Sequence, residues 1–298
     1  MNKNLPRLLS VRDLVKMYNL TAQSQLSQNF ILDKNITDKI VKSAMIDSNN
    51  LLVVEVGPGP GLLTRSILET GVPNMIVIEK DARFLPALTQ LSEASNNTLK
   101  IIQDDILEID HEKILTTAQI NKVSQENRLH VIGNLPFNIS TPLLVQWMKM
   151  LSKRSGIFQT SDITMSLMFQ KEVGDRIVAD TFSPARSRLS VLVQSLCKAK
   201  KVDAVLVQLI ALKEPILNVP IDQYEMVVRY FFGQRRKTIQ SLLKTLTKKL
   251  MSDEVDCLMK GLEQLDLNLS LRPEKLTCEQ FCHITKIFCD NSISIPVN

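Results

Sequence analysis

The chain has 298 residues, of which 44% are hydrophobic and 22% are charged, so it can bury a sizeable core and has room for one large domain and a smaller one. Its apolar stretches are interrupted well before the roughly 20 residues that a membrane span needs, which predicts no transmembrane helix. The five cysteines lack paired CxxC spacing, which indicates a reducing compartment and excludes a disulfide framework. Cys278, Cys282 and His283 have helical spacing, and we expect buried thiols on a helix there, not a metal site.

The net charge of +5 is mildly basic, but the positive charge is concentrated in two segments. Between Glu225 and Asp253 there are seven cations and no acid: Arg229, Arg235, Arg236, Lys237, Lys244, Lys248 and Lys249. Such a run is either a solvated helix face or a surface for a polyanion such as nucleic acid. Residues 1–20 are also basic and lack the apolar core of a secretory signal, so they are either a mitochondrial targeting segment or a basic helix that packs on the domain.

Short apolar runs alternate with segments of helical periodicity through the first two thirds of the chain. The runs are typical of parallel strands covered on both faces, and they lie at residues 51–57, 75–80, 100–105, 130–134 and 163–169. The predicted helices lie at residues 62–70, 82–92, 142–151 and 170–179. This alternation predicts a doubly wound α/β sheet with its ligand at the carboxyl ends of the strands. From about Asp222 onward, after Pro215 and Pro220, helical periodicity predicts a small all-helical domain.

The first candidate site follows the first predicted strand, where residues 57–61 read Gly-Pro-Gly-Pro-Gly. Glycines let the backbone turn sharply and approach a nucleotide, and the next helix presents its N-terminus there. Glu79 ends the second strand, where an acid can accept hydrogen bonds from ribose hydroxyls. A dinucleotide-dependent oxidoreductase would share these features, but Leu62 stands where its third glycine belongs, so a methyl donor is favoured. Asp105 ends the third strand and either contacts the adenine amine of the cofactor or caps the next helix.

The second candidate site is the sequence Asn-Leu-Pro-Phe at residues 134–137, at the end of the fourth predicted strand. An adenine amine is a poor nucleophile because its lone pair is conjugated into the ring, so it must be held in line with the group that it attacks. The side-chain oxygen of Asn134 and the main-chain carbonyl of Leu135 can accept from such an amine, and Pro136 fixes the turn that aims them. Phe137 offers a flat face for the base. The alternative is a polar strand end followed by a turn.

Seven short segments follow one another in a characteristic order, at residues 28–33, 55–61, 79–80, 105–107, 134–137, 169–173 and 187–190. This order resembles the ribosomal RNA adenine dimethyltransferase family. Residues 14–44 and 134–142 are most similar to the mitochondrial members, which are also described as transcription factors. Because the similarity continues into residues 232–238 and 271–276, the resemblance covers nearly the whole chain.

The resemblance implies a Rossmann-like class I methyltransferase sheet, with S-adenosylmethionine as the cofactor and residues 28–31 closing over it. The residues that it implies for cofactor binding are Gln28, Asn29, Ile31, Gly57, Glu79, Lys80, Asp105, Ile106 and Asn134. Asn134 would also orient the target amine, and Phe137 would stack on the target base. Phe169 would support that base from the other side, unless its ring is part of the core.

The activity implied by the resemblance is dimethylation of the 6-amino groups of two adjacent adenines in a hairpin loop of small-subunit ribosomal RNA, in the mitochondrial matrix. Residues 21–213 would form the methyltransferase domain, and residues 221–298 a helical domain that binds RNA through Arg235, Arg236 and Lys237. The mitochondrial transcription machinery is a further implied partner, and a monomer without membrane contact is expected. The alternative is a non-enzymatic RNA-binding, transcription or ribosome-assembly factor that retains the fold.

The chain departs from the family pattern just before Val202. The family has a strand and a loop rich in Phe and Pro there, whereas this chain runs from Lys198 through Lys201 directly into Val202. In this fold the final strand lies antiparallel between the fifth and sixth, so we expect the sixth, an edge strand, to be missing. A new row of unpaired backbone groups would then be exposed, which should affect stability and RNA docking more than methyl-donor binding and favours the non-enzymatic alternative.

Overall fold

The computed structural model describes residues 5–6, 13, 16, 31, 33–120, 123–124, 126–265 and 267–295. The chain divides into two compact units. The sheet unit comprises Met1–Gly174 and Lys200–Ala211, and the helical unit comprises Asp175–Ala199 and Leu212–Asn298. Residues 175–199 therefore group with the C-terminal helices, whereas the sequence placed them in the methyltransferase domain. The functional domain boundaries stay a prediction.

Strands and helices alternate along the sheet unit. The parallel strands are β1 (Leu52–Val56), β2 (Met75–Glu79), β3 (Leu99–Gln103), β4 (Leu129–Asn134) and β5 (Ile163–Met168). The helices are α1 (Lys34–Ala44), α2 (Leu62–Leu68), α3 (Leu85–Ala94), α4 (His111–Thr117), α5 (Phe137–Ser152) and α6 (Lys171–Ile177), with 3-10 turns at Ala82–Phe84 and Gly156–Gln159. Next along the chain come α7 (Arg188–Gln194), β6 (Cys197–Lys201) and β7 (Leu206–Ala211).

The strands of the described residues form one sheet in the order β3-β2-β1-β4-β5-β7-β6. Strands β1 to β5 run parallel, and β7 runs antiparallel to β5. Every residue of β1 and β2 is buried, as expected for parallel strands that helices cover on both faces. The carboxyl ends of the parallel strands meet at one edge, where β2 ends at Glu79 and β4 ends at Asn134. The predicted Rossmann-like α/β fold is confirmed.

The prediction that the sixth strand is missing was wrong. Residues Cys197–Lys201 form β6 at the edge of the sheet, next to β7. The turn between β6 and β7 is closed by the amide of Val202, which donates to the Leu206 carbonyl at 2.8 Å. Lys198 and Lys200 are exposed, and lysines are common on edge strands because they discourage pairing with other chains. The loop that joins β6 to β7 is short, but both strands are present, and β7 therefore lies between β5 and β6.

Three helices differ from the sequence prediction. Helix α5 begins at Phe137, five residues before the predicted start, and Pro142 lies inside it. A proline is most often found in the first turn of a helix, which is why the sequence favoured the later start. Helix α7 was not predicted, and neither was the equally short α4, which has seven residues and shows little helical period by itself. Asp110 caps α4 by accepting from the amide of Glu112 at 3.0 Å.

The helical unit is built around aromatic side chains. It contains α7 and the four later helices, α8 (Ile221–Gly233), α9 (Ile239–Thr247), α10 (Ser252–Gln264) and α11 (Cys278–Asp290), with a 3-10 turn at Pro273–Lys275. The buried rings of Phe231 and Phe281 meet edge to face with centroids 6.2 Å apart, a favourable geometry for aromatic pairs. The predicted all-helical C-terminal segment is confirmed. Among the described residues, no helix combines the length and apolarity that crossing a bilayer requires.

Two cysteines of α11, Cys278 and Cys282, are buried, as expected from their helical spacing. Cys278 and Cys282 face the interior of the helical unit, and burial raises the pKa of both thiols. His283 is exposed on the same helix. Within the described part of the chain, no group of three or more His, Cys, Asp or Glu side chains is placed to hold a metal ion.

One arginine is fully buried in the helical unit. One terminal nitrogen of Arg186 donates to the carbonyl of Ala179 at 3.1 Å and to the side-chain oxygen of Gln194 at 3.0 Å. The other donates to the carbonyl of Leu276 at 3.3 Å. These bonds join the segment before α7 to the start of α11, so we infer that this buried cation holds the two segments together.

Candidate active site

The loop after β1 turns back sharply toward the N-terminus of α2. Gly57 has a φ of +68°, a backbone angle that residues other than glycine rarely adopt. Its amide donates to the carbonyl of Ile78 at 3.0 Å, which ties the loop to the end of β2. A Cβ atom at this position would have no neighbour within 4 Å. The missing side chain therefore leaves open space beside the backbone, where a ligand can approach it closely.

This loop and the end of β4 line a common recess. The recess is shallow and partly open to solvent. Its lining combines the end of β1, the glycine loop, the start of α2, the end of β4 and one residue of the segment before α1: Ile31, Glu55, Gly57, Pro58, Pro60, Leu62, Leu63 and Asn134. Gly57, Ile31 and Asn134 were predicted from separate parts of the sequence, and the fold brings them together.

Glu55 is a feature of the recess to which the sequence analysis gave no role. It lies within β1 and is 1% exposed, and Thr64 donates its hydroxyl to the carboxyl group at 2.7 Å. Burial raises the pKa of Glu55 to about 8, although the hydrogen bond from Thr64 opposes the shift. An acid inside an otherwise apolar strand was the available signal. At neutral pH this carboxyl group is mostly protonated, so it adds little negative charge to the recess.

Glu55 makes the stability of the protein depend on pH. Because its pKa is about 8 in the folded chain and 4.5 without burial, the folded state binds more protons between these values, and stability falls as the pH rises. Relative to Glu55→Gln, which still accepts from Thr64, the unmutated chain should lose about 2 kcal/mol between about pH 6 and about pH 7.5. Urea denaturation at several pH values tests this. If the free energy of unfolding changes with pH in the same way for both proteins, then Glu55 is ionised in the folded chain across this pH range.

Glu79 lies at the end of β2 with its carboxyl group against the glycine loop. Its two oxygens accept from the amide of Gly59 at 3.0 Å and from the amide of Asp81 at 2.7 Å. Burial raises the pKa of Glu79, and these amides oppose the shift. A carboxylate has about four acceptor positions, so Glu79 keeps acceptor capacity for a ligand hydroxyl. Its position thus fits both the predicted ribose contact and a structural role in holding the loop.

Lys80, Asp105 and Ile106 lie at the neighbouring strand ends. The ammonium group of Lys80 lies 2.7 Å from the Asp105 carboxylate, and this hydrogen-bonded contact lowers the pKa of Asp105. Asp105 also accepts from the amide of Leu107 at 3.0 Å, which is the capping role that the sequence left open. Ile106 is buried. The cofactor contacts of these three residues stay predictions, while the structure places them beside Glu79 at the same edge of the sheet.

The close approach of β4 to β1 depends on a glycine that the sequence analysis did not single out. A Cβ atom on Gly133 would lie 2.7 Å from the main-chain oxygen of Val56, a distance at which the two strands would have to move apart. Gly133 immediately precedes Asn134, which ends β4 and is half-buried. A side chain on Gly133 would therefore displace Asn134 from the recess.

The residues after Asn134 form the start of α5. Leu135 is buried, Pro136 is exposed and precedes the helix as its N-cap, and Phe137 is the first helical residue. Pro136 thus sets the turn out of β4, as its fixed φ favours. The side chain of Phe137 and the whole of Gln28 and Asn29 lie outside the described residues, so their roles stay predictions.

Phe169 follows the end of β5, and its ring is buried. The side chain is 2% exposed, and its amide donates to the carbonyl of Val205 at 2.9 Å. This placement is the core position that the sequence left as an alternative. Support of a target base by Phe169 stays a prediction.

The three residues predicted to bind RNA lie between α8 and α9, in the helical unit. Arg235, Arg236 and Lys237 are all exposed. Arg235 donates to the carbonyl of Pro184 at 2.8 Å, which fixes the direction of its side chain. The other two extend the positive charge of the same turn, so the solvated-face and phosphate-binding interpretations both remain compatible with their positions.

The sheet and its edge define a class of protein. A parallel sheet with one antiparallel strand before its edge, a glycine loop after β1 and an acid ending β2 at that loop are the features of a Rossmann-like methyltransferase that uses S-adenosylmethionine. The residues of this chain fit that cofactor, because Gly57 leaves space beside the loop and Glu79 retains acceptor positions.

Comparison with known proteins narrows this class to a family. The model of the ribosomal RNA adenine dimethylase family matches residues 19–290. The chain is 38% identical to "Dimethyladenosine transferase 1, mitochondrial" of Vermamoeba vermiformis over 97% of this chain and 96% of that protein. It is also 38% identical to the Homo sapiens protein of the same name, over 96% of this chain and 87% of that protein. The chain therefore belongs to the ribosomal RNA adenine dimethylase family, as its motifs predicted.

Structural comparison agrees on the fold. A dimethyladenosine transferase from Plasmodium falciparum superposes with a TM-score of 0.68 at 24% identity, over 88% of this chain and 98% of that one. The 23S rRNA methyltransferase ErmE superposes with a TM-score of 0.56 at 20% identity. At these identities the likeness concerns the fold alone.

The proposed ribose contact of Glu79 can be tested by substitution. We expect Glu79→Ala to weaken S-adenosylmethionine binding by about tenfold to a hundredfold, because lost hydrogen bonds to a carboxylate cost roughly 1.5 to 3 kcal/mol. Calorimetric titration measures the affinity, and a thermal melt shows whether the glycine loop has lost its support. Glu93→Ala is the matched control, since Glu93 is an exposed glutamate of α3. Equal cofactor affinity in the Glu79 variant and the unmutated chain would refute the contact.

Proposed function

We propose that this chain transfers methyl groups from S-adenosylmethionine to the 6-amino groups of two adjacent adenines in a hairpin loop of mitochondrial small-subunit ribosomal RNA. Membership of the family and the mitochondrial names of the relatives support this substrate and compartment. Within the organelle we assign the protein to the matrix, where it would meet ribosomal RNA. The target adenines lie in a loop, because a paired and stacked base would first have to be flipped out.

The observation that carries this proposal is the recess shared by Gly57 and Asn134. A methyl donor held against the glycine loop and an amine held by Asn134 would meet in one place. Bringing two reactants together in line removes much of the entropic cost of their encounter. The glycine loop after β1 and the end of β4 would thus form one site, although they lie far apart in the sequence.

The chemistry follows from the groups at the end of β4. Bound S-adenosylmethionine supplies an electrophilic methyl group on a sulfonium. The Asn134 side-chain oxygen and the Leu135 carbonyl accept from the two hydrogens of the target amine, which draws its lone pair out of conjugation with the ring. The nitrogen becomes acidic as it takes the methyl group, so its proton can pass to water and no strong side-chain base is required. Phe137 would stack on the base, with Phe169 supporting it from behind.

We assign phosphate binding to Arg235, Arg236 and Lys237. Replacing all three with Ala should weaken binding of a hairpin RNA and flatten the plot of log affinity against log salt concentration, by up to about 0.7 to 0.9 for each lost phosphate contact. Fluorescence anisotropy at several salt concentrations gives the slope. Lys244, Lys248 and Lys249, from the same basic run, provide a matched triple variant. An unchanged slope in the variant that lacks Arg235, Arg236 and Lys237 would show that these residues are solvated and do not contact phosphate.

Activity of the unmutated chain decides between an enzyme and a non-enzymatic factor. The sequence favoured the second only through a missing edge strand, and β6 occupies that position. Calorimetry with S-adenosylmethionine, followed by transfer of labelled methyl to a hairpin RNA with two adjacent loop adenines, is the direct measurement. We expect donor binding and dimethyladenosine as the product. A chain that binds donor and RNA but transfers no methyl would instead support a ribosome-assembly or transcription factor.

A further inference from the structure

Phe182 is an exposed aromatic residue in an unusual backbone conformation. Its side chain is 62% exposed, although burying such a ring is normally favourable. Its φ is +75°, a region that bulky residues rarely occupy and that frequently marks a functional position. The helical unit thus holds a large apolar ring in solvent at a site where glycine would be less strained.

The ring is held by its neighbours in the helical unit. The amide of Phe182 donates to the carbonyl of Glu274 at 3.3 Å, which fixes the turn to the segment before α11. The ammonium nitrogen of Lys275 lies 4.6 Å from the ring centroid, a cation–π contact with one face of the ring. Because 62% of the side chain is exposed despite this contact, the ring retains apolar surface for a further partner.

The surroundings of Phe182 carry exposed positive charge. Arg235 donates to the carbonyl of Pro184, two residues after Phe182, at 2.8 Å. Arg236 and Lys237 follow in the same exposed turn. Asp180 is an acid of the Phe182 turn, and its main-chain carbonyl accepts from the amide of Ser183. An aromatic face beside cations is the combination by which proteins bind single-stranded nucleic acid, since bases stack and phosphates pair with the cations.

We propose that Phe182 stacks on an unpaired base of the RNA, outside the site that holds the target adenine, while Arg235 and its neighbours bind the adjoining phosphates. This inference rests on the proposed RNA substrate and adds a base contact in the helical unit. Stacking on an aromatic ring tolerates any base. The contact therefore selects single-stranded RNA and not a particular sequence.

The test compares variants of the full chain that change only the ring. Phe182→Gly removes the ring and suits the positive φ, so its melting temperature should equal or exceed that of the unmutated chain. Phe182→Leu keeps an apolar side chain but has no flat face for stacking. Phe182→Trp keeps an aromatic face. Binding of a hairpin RNA with a single-stranded extension is measured by anisotropy at several salt concentrations. Trp147 is the only natural tryptophan and is buried, so the emission of an added tryptophan reports on position 182.

We expect Phe182→Gly and Phe182→Leu to bind the RNA about fivefold to a hundredfold more weakly, the loss of one stacked base. The salt slope should not change, because no phosphate contact is lost. Phe182→Trp should bind like the unmutated chain, and RNA should quench its added emission. Unchanged affinity of Phe182→Gly, or an emission that RNA does not alter, overturns the stacking proposal while leaving the proposed function intact. Failure of the unmutated chain to bind the hairpin overturns both.

Discussion

Asn134→Ala should lower the rate of methyl transfer about a hundredfold to a thousandfold while leaving RNA affinity nearly unchanged. Asn134 ends β4 and lines the recess with Gly57. Its proposed hydrogen bond to the target amine is strongest in the transition state, so its loss affects the rate more than binding. Preorganised hydrogen-bonding groups of this kind contribute roughly 2.7 to 4 kcal/mol to the barrier in other enzymes.

The rate of the Asn134 variant must be measured at saturating S-adenosylmethionine, because this side chain is also proposed to contact the cofactor. Single-turnover transfer of labelled methyl to the hairpin RNA gives the rate, and anisotropy gives RNA affinity. Asn49→Ala is the control, since Asn49 is an exposed asparagine of the turn before β1. A rate equal to that of the unmutated chain would show that the amine is oriented by other groups.

Arg186→Ala should destabilise the chain by roughly 2 to 5 kcal/mol, because it leaves two buried acceptors without their donor at about 1 to 3 kcal/mol each. The substitution leaves the Leu276 carbonyl and the Gln194 side-chain oxygen without the donor that Arg186 provides, and each unsatisfied acceptor is costly. It also leaves a cavity where a long side chain was buried. Ala179 is less affected, because Gln194 also donates to its carbonyl at 3.0 Å.

Chemical denaturation of the unmutated chain, Arg186→Ala and Arg272→Ala measures this effect. Arg272 is exposed before the 3-10 turn, so its substitution should change stability by no more than about 0.5 kcal/mol. If Arg186→Ala unfolds within about 1 kcal/mol of the unmutated chain, then the buried guanidinium stabilises the segment far less than its hydrogen bonds indicate.

The sequence was sufficient to predict the parallel strands, the glycine loop and the acid that ends β2. Each of these depends on local patterns, because buried parallel strands are continuous apolar runs and the loop requires glycine at set positions. The ends of the elements were less certain, as the early start of α5 shows. A cap such as Pro136 depends on how the chain leaves the preceding strand.

The sequence by itself also determined the family, because its motifs occur in the family's order along nearly the whole chain. Only the tertiary structure decided which residues meet. Gly133 is required by the Val56 carbonyl of a neighbouring strand, and Glu55 is kept protonated by burial among residues distant in sequence. The lysine-rich β6 is a strand because β7 pairs with it. Periodicity in the sequence indicates which face of a helix or strand is buried. The close approach of two strands, the desolvation of a carboxyl group and the pairing of an edge strand depend on neighbours that are distant in sequence and meet only in the folded chain.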